Sequence, residues 1–222
     1  DGADAVINLA GAGIADQRWT RDYKQQLRLS RVASTRTLVA AVRVATVRPK
    51  VFIQGSAVGY YGTSDQQTFD ESYPPGDDFL GQMCVAWEAD AHAVSALGPR
   101  LIIARSGIVL ARDGGALKKM SQPFRLFAGG RLGSGRQPVS WIHRDDWIGM
   151  LDWALEKEEV DGAMNVTAPE PATNAELSKA LGRALRRPNW LPVPGFAVKL
   201  VAGELASAGL LTGRVLRTPL RA

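Results

Sequence analysis

The order in which short apolar runs alternate with long helical stretches constrains this chain more than any other feature. Ala5 to Ala10 (AVINLA) is apolar and bounded by Asp and Gly. It is followed by Arg21 to Thr46, a stretch without Pro or Gly in which Leu38, Ala41, Val42 and Ala45 share one helical face. Val51 to Gly55 (VFIQG) is a second apolar run, Phe79 to Leu97 a second helical pattern stopped by Gly98-Pro99, and Leu101 to Ala104 (LIIA) a third. Strand, helix, strand, helix, strand with such short strands predicts crossover units and a parallel sheet, because parallel neighbours need long connections. The fold class expected is α/β, a doubly wound parallel sheet.

Beyond Gly107 the texture changes. A stretch rich in Gly (Gly114, Gly115, Gly129, Gly130, Gly133, Gly135) precedes a short strand at Val139 to His143 and a helix from about Asp145 to Glu156. Gly162 to Ala168 reads as a strand, Asn174 to Arg187 as an amphipathic helix capped by Thr173, and Phe196 to Leu211 as a last apolar helix. Two lobes are expected, residues 1–107 and 108–222, interleaved in space, the smaller C-terminal one closing over a substrate crevice.

Several classes of function fall away. With 45% hydrophobic and 22% charged residues, a disordered or fibrous chain is excluded. The net charge is +5, but Lys and Arg are interleaved with Asp and Glu, and no basic run suited to a nucleic-acid backbone is present. A small-molecule substrate is expected, with no nucleic-acid or membrane partner and an oligomeric state left open. No apolar run reaches a membrane span. A single cysteine, Cys84, allows no internal disulfide and fits a reducing cytoplasm. Two histidines and one cysteine without ligand spacing argue against a metal site.

In doubly wound sheets ligands sit outside the carboxyl ends of the strands, which brings the residues after Ala10, Gly55 and Arg105 toward one crevice. The segments INLAG, RWT, SRVAST, SAVGYYG, RSGIVL, GGAL, PFRL, GSGRQPVSWIH and NVTAPEPATNAEL, in that order, resemble the extended short-chain dehydrogenase/reductases. They are most similar to an atypical, epimerase-like subgroup with a C-terminal domain of unknown function, whose members are named nucleoside-diphosphate-sugar epimerases. The resemblance implies a Rossmann-type lobe and NADP, or else NAD, as cofactor. It also implies a first strand, a GxxGxxG turn cradling the pyrophosphate and a second strand, none of which this sequence contains. A further short strand and helix are implied after Arg217-Thr218-Pro219-Leu220. Truncation at both ends is therefore expected, with weak or no cofactor binding by the 222 residues alone.

Carried over residue by residue, the resemblance puts Leu9, Ala10 and Gly11 against the cofactor at the end of their strand. Arg31 would reach its ribose or phosphates, Arg105 would belong to the same crevice, and Val109 would lie near the nicotinamide end. Leu9 and Val109 could equally be core, and Arg31 a solvated helix residue. The usual catalytic pair is a Tyr four residues before a Lys, the Lys lowering the phenol's pKa. Setting Glu88 in register with the family puts Leu80 and Cys84 in those two places, and neither can exchange a proton in that way. Ser56 matches the Ser that polarises the substrate oxygen, or else caps a strand end. Tyr60, Tyr61 and His143 are the remaining candidate catalytic residues, His143 alternatively being a hydrogen-bonded or core histidine. Cys84 reads as a packed helix residue. If Ser56 and a neighbouring Tyr form the polar end of the crevice, their oxygens belong near the carboxyl ends of the first two strands. The expected activity is oxidoreductase or epimerase chemistry on a hydroxyl or ketone, with a nucleotide sugar as one such substrate. The rival is a dinucleotide-binding regulatory or scaffold protein without turnover.

Overall fold

The computed structural model of the chain describes residues 1–64, 67–213 and 215–216. Arg217 to Leu220, where the resemblance implied a continuing fold, lie outside the described residues. In chain order the elements are β1 (Ala5–Asn8), α1 (Arg21–Val44), β2 (Val51–Ala57), β3 (Thr68–Phe69), α2 (Phe79–His92), β4 (Arg100–Ser106), β5 (Ile108–Ala111), α3 (Gly115–Arg125), β6 (Pro138–Val139), β7 (Trp141–His143), α4 (Arg144–Glu156), β8 (Gly162–Val166), β9 (Ala172–Thr173), α5 (Asn174–Leu185), α6 (Gly195–Ala202) and β10 (Val215–Leu216).

Two compact units divide the chain. The first comprises Asp1–Gly62, Glu71–Ser106 and Ile148–Val166, and the second the described residues of 63–70, 107–147 and 167 onward. Ile148–Val166 brings β8 and most of α4 into the first unit.

The first unit is built on a parallel sheet ordered β1-β2-β4-β8. Each helix between its strands has a physical start signal: the Thr20 side chain accepts the Tyr23 N–H at α1, and Asp78 accepts the Gly81 N–H at α2. Tyr23, Leu27, Arg31, Val32, Thr35, Val39 and Val42 of α1 are buried, mostly three or four residues apart. Val39, Val42, Phe52, Ala91, Val94, Leu101 and Ile103 form one apolar cluster, which places α1 and α2 on the same face of the sheet. That face changes character along the strands. Phe52 gives way to Gln54 and Ser56 on β2, and Leu101 and Ile103 give way to Arg105 on β4, each two residues further toward the carboxyl end.

The second unit is assembled from small pairings: β5 with β7 in parallel, β6 with β9 antiparallel, and β3 with β10 in parallel. Leu110, Phe124, Leu177 and Leu181 form its core, covered by α3 and α5. Thr173 caps α5 as expected, in a reciprocal capping box with Glu176. Two differences from the sequence reading have clear causes. The apolar stretch Phe196 to Leu211 breaks at Gly203, whose φ of +60° ends α6 after Ala202. Helix α3 occupies the stretch read only as Gly-rich, its two glycines marking the helix start rather than a loop. Among the described residues, no helix is long and apolar enough to cross a membrane.

Candidate functional site

Ser56, Arg105 and Asn165 are register partners across β2, β4 and β8, so their side chains leave one rung of the sheet on the same face. Arg105 is only 5% exposed, and a guanidinium so buried requires a counter-charge. Glu88 supplies it from α2: Arg105 Nη2 donates to Oε2 at 2.8 Å and Nε donates to Oε1 at 3.0 Å. Ser56 Oγ donates to the same Glu88 Oε1 at 2.6 Å. Arg105 Nη1 donates to the Tyr61 hydroxyl at 3.0 Å and to the Glu71 carbonyl at 3.2 Å. The Tyr61 hydroxyl donates in turn to Asn165 Oδ1 at 2.7 Å, and the Asn165 backbone N–H donates to Glu71 Oε1 at 2.8 Å. The Tyr60 ring lies 3.5 Å from the Arg105 Cζ and meets Tyr61 edge-on at 5.3 Å.

The electrostatics follow from this packing. Burial disfavours the Arg105 charge, but its bonds to Glu88 outweigh that and hold the guanidinium above its ordinary pKa. Burial pushes the Tyr61 phenol up to about 12 despite the pull of Arg105. The Cys84 thiol, fully buried on α2, is pushed by burial up to about 11. Leu80, the residue standing where a tyrosine was sought, is buried on the same helix.

The structure therefore brings four of the expected residues, Ser56, Tyr60, Tyr61 and Arg105, into one network. The Ser56 hydrogen is turned onto Glu88 of α2, and the Tyr61 hydrogen is committed to Asn165 on the fourth strand. Neither proton can be offered to a ligand without breaking a buried bond. Tyr60, half-buried, is the member held by its ring face instead. Glu71, Glu88 and Asn165 complete the network and were not singled out from sequence as functional. The available signal was Arg105 itself, a charged residue inside the strand LIIARS, which calls for a buried carboxylate.

A second polar group lies at the end of β1. Asn8 Nδ2 donates to Thr35 Oγ1 and to Gln54 Oε1, each at 3.0 Å, which fastens β1 and β2 to α1. Beyond it the chain emerges at Leu9, Ala10 and Gly11, all exposed, with Leu9 at 51%. Arg31 is buried rather than solvated, its guanidinium 5.0 Å from the Trp87 ring. Burial holds the Arg31 pKa below its usual value. Gly11 sits so close that a Cβ there would come within 3.0 Å of the Arg31 Cζ.

In the second unit, Val109 is half-buried on β5 opposite Ile142 of β7. His143 has a side chain that is 52% exposed, and its Nδ1 accepts the Asp145 N–H at 3.2 Å. It caps the first turn of α4, a hydrogen-bonded rather than a core histidine.

Comparison with known proteins places these features in a family. Residues 1–167 match the model of the NAD dependent epimerase/dehydratase family. An epimerase family protein of Mycobacterium leprae is 44% identical over 211 residues, covering 95% of this chain and 68% of the relative. The chloroplastic SDR39U1 homolog of Arabidopsis thaliana is 43% identical over 223 residues, covering 100% of this chain and 63% of that protein. The crystal structure of human epimerase family protein SDR39U1 (isoform 2) with NADPH superposes with a TM-score of 0.91 at 37% identity, covering 98% of this chain and 75% of that one. The α/β fold is thus that of Rossmann-type epimerases. The chain belongs to the NAD dependent epimerase/dehydratase family.

Proposed function

We propose that this protein binds NADP, or alternatively NAD, and carries out oxidoreductase or epimerase chemistry at a hydroxyl or ketone carbon, with a nucleotide sugar as the substrate class. The observation that supports this best is the network on the Ser56–Arg105–Asn165 rung, at the carboxyl ends where ligands of doubly wound sheets sit. The residues present suit the cofactor at one further point: the exposed Leu9–Ala10–Gly11 turn carries little bulk, and a cationic side chain, Arg31, lies beneath it. A bound nicotinamide would supply the hydride acceptor and donor. Leu9, Ala10 and Gly11 would line its approach, and Arg31 would meet negative charge.

Tyr60 is the phenol assigned to proton exchange with the substrate oxygen. Arg105 holds its ring in place; Ser56 fixes Arg105 through Glu88, and Tyr61, itself held by Asn165, accepts from Arg105 directly.

A second reading, a dinucleotide-binding regulatory or scaffold protein without turnover, is favoured by one specific observation. Leu80 and Cys84 occupy the expected Tyr and Lys places, while Ser56 and Tyr61 are already engaged. The two readings separate on Tyr60→Phe. If the protein is an enzyme, this variant retains NADPH binding and loses NADPH consumption in the presence of a nucleotide-sugar ketone. NADPH binding without consumption by wild type and variant alike would leave the second reading standing.

A further inference from the structure

Among the described residues two that are not glycine hold a positive φ, Phe127 at +60° and Arg186 at +54°. Each stands just past a helix end closed by the same pair of bonds. After α3, the Phe127 N–H donates to the Phe124 carbonyl and the Ala128 N–H to the Pro123 carbonyl. After α5, the Arg186 N–H donates to the Arg183 carbonyl and the Arg187 N–H to the Gly182 carbonyl. Such a turn favours glycine, because a Cβ is strained in the left-handed region. Burial does not offset the strain, since Phe127 is 56% exposed and Arg186 is exposed as well. Strain held at the surface points to a role beyond the fold.

The two turns meet. The Arg187 guanidinium lies 4.6 Å from the Phe127 ring centre, and Trp190 Nε1 donates to the Phe127 carbonyl at 3.1 Å. Leu126, beside Phe127, is 77% exposed, and Trp190 is 65% exposed. From Trp190 the chain runs beside residues 129–133, the Val193 N–H donating to the Arg131 carbonyl and the Gly133 N–H to the Val193 carbonyl, and then enters α6. There Phe196, Leu200 and Val201 share one side of the helix, each at least 73% exposed, while Val198 is buried on the other.

Charge identifies the partner. Residues 114–143 and 177–203 carry ten Lys and Arg, all exposed, and no Asp or Glu. The acidic residues bordering the second stretch are Glu176, bound into the α5 capping box, and Glu204. Side chains this exposed project from the surface instead of lining a groove, and Leu126, Leu200 and Val201 have no ring to stack on a nucleic-acid base. Projecting Trp, Phe and Leu among cations suit a soft anionic surface, in which apolar groups enter the headgroup layer and cations meet lipid phosphates. No described helix is long and apolar enough to cross a bilayer, so the contact is peripheral.

We propose that the Leu126–Phe127 turn, Trp190 and α6 form a docking surface for an anionic lipid bilayer. The surface lies wholly in the second unit and needs nothing from the cofactor reading.

The test mixes the 222-residue chain with vesicles of phosphatidylcholine, or of phosphatidylcholine and phosphatidylglycerol in equal parts, and measures bound protein by flotation. Binding to the mixed vesicles is expected to be at least about tenfold tighter than to phosphatidylcholine alone, and to weaken as salt is added. Phe127→Gly is expected to melt no lower than wild type, because the turn accepts glycine, yet to bind the mixed vesicles about tenfold more weakly. Phe196→Ser/Leu200→Ser, at exposed positions of α6, is expected to weaken binding by at least as much. Arg186→Gly/Arg187→Gln is expected to cut the preference for anionic lipid about tenfold. Equal affinity for the two vesicles, binding to neither, or a Phe127→Gly variant that binds like wild type would each overturn the proposal. Single-stranded RNA bound equally by wild type and Phe127→Gly, with no vesicle binding, would overturn it by assigning the cations to nucleic acid. Self-association in sedimentation velocity that is lost in Phe127→Gly, again with no vesicle binding, would overturn it by assigning the face to a second copy of the chain.

Discussion

Replacing Glu88 by Gln would keep the shape of the side chain and remove the charge that neutralises Arg105. The guanidinium would stay only 5% exposed, and Gln could still accept one bond from it and one from Ser56, but the ion pair with Nη2 at 2.8 Å would be lost. Removing one member of a buried pair costs about 3–5 kcal/mol, and the bonds that Gln retains favour the lower end, about 3 kcal/mol. That is a large part of the 5–15 kcal/mol that holds a typical domain together, and corresponds to a Tm drop of about 6–12 °C for a chain of this size. Urea denaturation followed by circular dichroism is the assay, with the midpoint shifting and the slope m unchanged. The double variant Glu88→Leu/Arg105→Met, which removes both charges, is expected to recover much of the loss, because the desolvation penalty disappears with them. A Glu88→Gln variant within 1 kcal/mol of wild type, or a double variant as unstable as the two single losses combined, would refute the claim that Arg105 depends on Glu88.

Three further outcomes follow from the same geometry. Thr35→Val, which removes the hydroxyl bonded to Asn8 and Gln54, is expected to cost about 1–2 kcal/mol in urea; no change would mean the buried triad contributes nothing. Thr173→Ala breaks the α5 capping box and is expected to cost about 1 kcal/mol, a smaller loss than Glu88→Gln, measured in the same way. In the unfolded chain a thiol loses its proton near about 8.5 and a phenol near about 10. The folded protein holds the Cys84 and Tyr61 protons to about 11 and about 12, so above about pH 8.5 it binds more protons than the unfolded chain. Stability fully present at neutral pH must then fall as pH rises through that window. Urea midpoints at neutral and alkaline pH check this, and a flat profile would contradict it.

The alternation of AVINLA, VFIQG and LIIA with two helical stretches was enough to read a parallel α/β sheet, because strand burial and crossover length are local properties. The second unit was less legible. Its strands are two to four residues long, too short for a periodicity to emerge, and Gly114 and Gly115 read as a loop although α3 starts there. In the site, Ser56, Tyr60, Tyr61 and Arg105 could be gathered from their places at strand ends. Their pairing could not, because Glu88 comes from 32 residues beyond Ser56 and Asn165 from 104 beyond Tyr61. His143 had the right chemistry for catalysis by residue type alone, and only the backbone of α4 reveals that its Nδ1 is engaged.

A fluorescence titration with NADPH and NADH bears on the functional account as a whole. It compares the 222-residue chain with the same chain preceded by a strand and a glycine-rich turn of the family type. The account predicts that the extended form binds NADPH more tightly than NADH, and at least as tightly as the 222-residue form does. An extended, folded form that binds neither dinucleotide would contradict it, leaving the Rossmann-type fold without the function proposed for it.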